Sequence, residues 1–154
     1  MESLMRSLQG GVASIAGILL IIAAGGAFSQ VLRDGGVSDY ITHQAAQIHV
    51  NPLILAFGVA ALLRASIGSA TVAGMTAAGV LAPMVAQSSV HPELMVLATG
   101  AGSLMFSHFN DSGFWMFKEY FNATIRETLL TWSMMELIVG LTGLAVALLM
   151  NLVW

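Results

Sequence analysis

Four polar residues fall within five positions of one short string, "MFSHFNDSGFW" from Met105 to Trp115: His108, Asn110, Asp111 and Ser112, with aromatic residues on both sides. Imidazole changes charge near neutral pH, and burial brings a carboxyl towards that range, so His108 and Asp111 are the candidates for carrying a proton. A second group lies in "RASIGSAT": the cation Arg64, the hydroxyls of Ser66, Ser69 and Thr71, and Gly68, which lets a ligand approach the backbone closely. A cation, hydroxyls and the exposed N–H groups that open a helix are the chemistry of anion recognition, and a carboxylate fits such a site. No metal chemistry stands beside this. The chain has no cysteine, and His43, His49 and His91 lie in loops without ligand spacing. No phosphate-cradling glycine loop and no nucleophile–histidine pair is visible, so neither a cofactor nor an enzyme activity is expected.

These residues sit in a chain built for lipid. It is 154 residues long, 57% hydrophobic and 8% charged, with a mean hydropathy of +0.85. A soluble domain carries about 25% charged residues to solvate its surface, so the expected class is an all-α polytopic membrane protein. The net charge of −3 offers nothing to nucleic acid. Arg6 ahead of Val12–Ala24 imitates a secretory signal, but the downstream sequence is equally apolar and the segment reads better as a first span.

The elements that must position the two polar groups follow from segment length. Residues 12–32 approach the ~20 apolar residues that cross a bilayer. A turn-rich stretch with Gly35–Gly36 follows, in which Tyr40, Ile41, Ala45 and Ile48 have the spacing of an interfacial helix, and Asn51–Pro52 opens the next element. Over 52–86 two apolar segments, each too short to span, flank the "SIGSAT" tip. They predict a re-entrant helical hairpin, entering and leaving on one side. Over 93–122 an apolar helix running to Phe106 and the half-helix "FWMFKEYF" flank the polar string, which predicts a discontinuous transmembrane helix. Residues 128–152 form the last span, with Trp154 as an interfacial anchor. Lys118, Glu119, Arg126 and Glu127 read as a solvated connector, and Glu136 as a residue near the headgroups or facing the protein interior. This topology puts Arg6, Lys118 and Arg126 on the cytoplasmic side and Arg33 outside, as the positive-inside rule favours. Spans, hairpin and broken helix together resemble one repeat of a secondary transporter, with the broken elements meeting near the bilayer midplane.

Three stretches carry a closer resemblance: "GGAFSQVLRDGGV", "ALLRASIGSATVAGMTAAGVLAP" and "GAGSLMFSHFNDSGFWMFKEYFNATIRETLLTWSMMELI". In that order they resemble the C-terminal part of the gluconate permease family of bacterial transporters. The resemblance implies proton-coupled uptake of gluconate or a related sugar acid across the cytoplasmic (inner) membrane. D-serine or another small carboxylate is the alternative substrate within the family. It also implies a substrate site made of Arg64, Ser66, Gly68, Ser69, Thr71, Asn110 and Ser112, with Asn110 and Ser112 available to sugar hydroxyls. Family members are longer, so the chain is expected to be a single membrane domain, 1–154, that needs a missing N-terminal half or homologous repeat before it can transport. A homo-oligomer stays open. A membrane scaffold subunit without transport activity is the alternative from another class.

Each residue has a plainer reading. The polar string is otherwise a loop outside the membrane, His108 reads equally as a neutral structural residue, and Asp111 is otherwise the cap of the following half-helix. Arg64 reads as a partner of Asp111 or as a side chain snorkelling to the interface. Small residues serve helix packing, for which Gly74, Ala77, Ala78 and Gly79 are better placed than the tip.

Overall fold

Asn51 and Pro52 together open the helix Pro52–Ile67. The Asn51 side chain accepts a hydrogen bond from the Leu53 N–H at 2.9 Å, and Pro52 occupies the first turn, where a missing N–H leaves no bond unmade. The computed structural model describes residues 50–153 and isolated positions between 5 and 43. Apart from those positions, the span expected over 12–32, the interfacial helix after it and the Trp154 anchor lie outside the described residues.

Among the described residues, 50–153 form only helices and connecting turns: α1 (Pro52–Ile67), α2 (Ala70–Gln87), α3 (Pro92–Ser103), α4 (Ser112–Tyr120) and α5 (Ile125–Val153). Gly68 ends α1 in the left-handed region, φ +78°, with its N–H donating to the Arg64 carbonyl at 2.9 Å. Ser69 then caps α2, its Oγ accepting from the Val72 N–H at 3.3 Å. A two-residue turn thus joins α1 to α2, and the two helices pack against each other.

The α3 helix starts at Pro92 and stops at Ser103, before the Phe106 expected from the apolar run. The Ser103 hydroxyl turns back to the Gly100 carbonyl at 2.8 Å, and Phe106 takes a positive φ of 44° that no helix accommodates. Residues 104–111 are non-helical. Asp111 then caps α4, its side chain accepting from the Gly113 N–H at 2.9 Å. The α5 helix begins at Ile125 under a capping box: Thr124 Oγ1 accepts from the Glu127 N–H at 3.2 Å, and Glu127 accepts from the Thr124 N–H at 2.8 Å. Its second turn, Leu129–Ser133, is π-helical.

The α3 helix is the central element, touching α1, α2 and α5. Small residues permit the approach. A Cβ on Gly102 would run into the Phe57 carbonyl and come within 2.9 Å of Ala60 Cβ, and one on Gly143 would come within 2.9 Å of Ala101 Cβ. On α5 the buried positions include Gly140 and Ala147, while Leu130, Ile138, Leu141, Val146, Leu149 and Leu152 point outwards. Large apolar residues outside and small ones inside is the reverse of a water-soluble helix, and matches packing in lipid. At about 1.5 Å per residue the 29 residues of α5 exceed the ~30 Å hydrocarbon core, whereas the 12 of α3 fall well short. Among the described residues α5 is the one helix long and apolar enough to cross a membrane.

Candidate functional site

The turn between α1 and α2 touches the break between α3 and α4. The Asn110 side-chain amide donates to the Ala65 carbonyl at 2.9 Å and to the Ser66 carbonyl at 3.4 Å, two acceptors left open where α1 ends. Gly68 has room for this contact only because it lacks a Cβ, which would collide with the Asn110 carbonyl and lie 2.7 Å from Asn110 Cγ. Since α2 opens two residues after Gly68 and α4 two residues after Asn110, the contact gathers two helix N-termini into one place. Their exposed N–H groups and dipoles favour an anion there.

Beneath the contact lies Arg64, 2% exposed although it sits on an otherwise apolar helix. Its Nη2 donates to Asp111 Oδ2 at 2.5 Å and to Glu136 Oε2 at 3.1 Å. The Ser107 hydroxyl also donates to Asp111 Oδ2, and Trp132 Nε1 donates to Ser107 Oγ at 3.0 Å. The network therefore ties α1, the break, the start of α4 and α5 into one unit. Ions removed from water are tolerated only when paired and hydrogen-bonded, and Arg64 and Asp111 both meet that condition. Two buried polar atoms, Arg64 Nε and Ser133 Oγ, have no hydrogen-bond partner among the described residues.

The residues expected from sequence are distributed as follows. Arg64, Gly68, Asn110 and Asp111 meet directly. Asp111 is at once a helix cap and an ion-pair partner, so two separate sequence readings describe one side chain. Ser69 caps α2 at the same tip. Ser66 is exposed, with its hydroxyl donating to the Leu62 carbonyl at 2.9 Å. Thr71 and Ser112 are exposed in the first turns of α2 and α4. His108 is half-buried near the rings of Phe106 and Phe109, at 6.1 and 6.5 Å between centroids, and takes no part in the Arg64 network. Gly74 contacts Ser103, and Ala77 is buried in the core.

Sequence reading passed over Ser107, Trp132 and Glu136 as site residues. The signal for Glu136 was an acid inside an apolar span, four residues after Trp132 and so on the same helix face. Both side chains reach the break.

An open apolar groove of about 410 Å³ also lies between α2 and α3, lined by Met75, Leu81, Val85, Met95 and Val96 among others. It brings no charged group to a ligand, and a polar anion has nothing to bind there.

Residues 1–153 match the family model described as GntP family permease. The chain is 51% identical over 153 residues to a protein named high-affinity gluconate transporter from Escherichia coli (strain K12), covering 99% of this chain and 35% of that protein. It is 50% identical over 152 residues to the Gnt-II system L-idonate transporter of the same organism, covering 99% and 35%. It is 47% identical over 152 residues to a gluconate permease of Bacillus subtilis (strain 168), covering 99% and 34%. The chain thus spans about 35% of the length of the curated relatives it matches. No solved structure matches it.

Proposed function

Because the chain belongs to the GntP family of permeases, we propose that it forms part of a secondary transporter that carries gluconate or a related sugar acid into the cell with protons. The substrate carboxylate is held where α2 and α4 begin, beside Arg64. Ser66, Gly68, Ser69 and Thr71 supply the tip side of the site, and Asn110 and Ser112 supply the break side to the sugar hydroxyls. The observation that carries this reading is the Gly68–Asn110 contact, which brings two helix N-termini together above a buried guanidinium. The names of the relatives supply the substrate class, a polyhydroxylated carboxylate.

In this reading α1 and α2 form a re-entrant hairpin, and α3 and α4 form a spanning helix broken at residues 104–111. Non-helical backbone at membrane depth is tolerated where protein or a watery cavity satisfies it, as Asn110 does for the end of α1. The segment lies in the cytoplasmic membrane of a bacterium and works against a second repeat, since alternating access needs two bodies. His108 and Asp111 are the groups read from sequence for proton handling.

The test is uptake of labelled gluconate by vesicles from cells expressing the protein in its native gene context, with Asp111→Asn alongside. Uptake that depends on an imposed pH gradient and fails in the variant supports the reading. A wild-type protein that neither binds nor moves any sugar acid removes it.

A further inference from the structure

One guanidinium faces two carboxylates in this interior, so the three groups do not balance. Arg64 Nη2 bonds to both Asp111 and Glu136; with both acids ionised, the cluster keeps one uncompensated negative charge. Among the described residues no second cation pairs with either acid. The elements packed around Glu136 add none. Arg64 comes from α1 and Asp111 from the break, whose His108 lies by the rings of Phe106 and Phe109 and outside the Arg64 network, and α2 has no charged residue. The one charge of α3, Glu93, is at its exposed start; Lys118 and Glu119 of α4 pair with each other, and Arg126 and Glu127 lie in the exposed first turn of α5. An unbalanced charge shielded from water is costly, and one added proton removes it.

The two acids are not equivalent. Asp111 accepts from Arg64, from the Ser107 hydroxyl and, through its other oxygen, from the Gly113 N–H, and it caps α4. Protonating it weakens the cap and the ion pair together. Glu136 reaches the cluster from α5 through its bond to Arg64 Nη2, and losing its charge disturbs no cap. What it does release is one of the two N–H groups of Nη2, while the other stays with Asp111. Arg64 Nε, on the same edge of the guanidinium, is already buried without a partner among the described residues. An edge presenting Nε and Nη2 is the one that grips a carboxylate with two parallel hydrogen bonds.

We propose that Glu136 is the site of the coupled proton, and that its protonation opens the Nε–Nη2 edge of Arg64 to the carboxylate of the transported sugar acid. The assignment rests on the transport reading above, and moves the proton from His108 and Asp111 to Glu136. On one side of the membrane the Glu136 carboxylate accepts a proton and releases Arg64, and the substrate carboxylate takes its place. On the other side the substrate leaves, Glu136 gives up the proton and pairs with Arg64 again. The excess of one negative charge is the same in the empty, deprotonated site and in the loaded, protonated one, because one proton and one anion enter together. Asp111 stays ionised throughout as the fixed partner of Arg64.

The experiment uses protein expressed from its complete reading frame, purified and reconstituted, with labelled gluconate as the probe. Binding of gluconate to the wild type is expected to take up about one proton per anion from weakly buffered solution at neutral pH; binding without proton uptake overturns the assignment. Glu136→Gln, fixed in the neutral form, is expected to lose accumulation driven by a pH gradient, while gluconate exchange persists and no longer varies with pH. Accumulation that survives in Glu136→Gln overturns the assignment too. Should that variant be absent from the membrane, proton uptake by the wild type decides alone. A wild type that neither binds nor exchanges sugar acids instead overturns the transport reading itself, a result distinct from binding without a proton.

Discussion

Asn110 holds the end of the helix that Gly68 terminates: its side-chain amide donates to the Ala65 carbonyl, while its own backbone fills the space a Cβ on Gly68 would need. Two segments more than forty residues apart in sequence are locked by one polar side chain and one missing methyl. Everything proposed for the site depends on this junction.

Gly68→Ala therefore meets both a strained φ of +78° and a collision with Asn110. A loss of about 1–3 kcal/mol is expected, together with weaker gluconate binding as the break is pushed away. Gly58→Ala, inside α1 with nothing within 4 Å of the new Cβ, is expected to be neutral or to stabilise by about 0.5–1 kcal/mol. Thermal unfolding of the two variants in detergent compares them directly.

Asn110→Asp keeps the shape of the side chain but replaces its donor with acceptors that face two carbonyls. It is expected to cost more than Asn110→Ala, for which about 1 kcal/mol is the ordinary value of a lost hydrogen bond. The order of the two thermal midpoints is the check; the reverse order would mean that the Asn110 donor is idle.

Arg64→Gln leaves two carboxylates without their cation, and a loss of about 3–5 kcal/mol is expected. Adding Asp111→Asn and Glu136→Gln removes the stranded charges and is expected to restore most of the stability without restoring gluconate binding. Stability and affinity measured on the single and triple variants separate the two roles of the arginine.

Gly140→Leu places a large side chain where a Cβ alone would come within 2.8 Å of the Ala101 carbonyl and 3.0 Å of Met105 Sδ. Overpacking of this kind is expected to destabilise by about 1–3 kcal/mol. Because α3 leads straight into the break, gluconate uptake is expected to fall with it, whereas Leu149→Ala on the outward face of α5 should leave both nearly unchanged.

Local signals in the sequence carried much of this architecture. Asn51–Pro52 and Pro92 announce helix starts through fixed φ and a side-chain acceptor, and Gly68 announces a turn through the conformation that other residues avoid. The capping box Thr124–Glu127 was equally local, yet four clustered charges made its segment look like solvated connector, and α5 begins earlier than its apolar run. The Arg64 network was legible only in part. Pairing of Arg64 with Asp111 is one of three readings the sequence leaves open, but the placement of Glu136 depends on how α5 rotates against α3, which is set by Gly140 and Gly143 against Ala101. Contacts of that kind leave no local pattern. Ser107 hid in plain view, four residues before the acid it bonds.

Binding of a sugar acid where the α1–α2 turn meets the break is tested most directly by protection. These 154 residues contain no cysteine, so Ser69→Cys and Ser112→Cys each add one labelling site within them, with Tyr120→Cys, exposed on α4, as control and the protein without any of the three as background. In membranes carrying active protein, gluconate is predicted to slow thiol labelling at both site positions and leave the control unchanged. Equal labelling rates with and without saturating gluconate at both Ser69→Cys and Ser112→Cys, in protein that still transports, would mean that the sugar acid binds elsewhere.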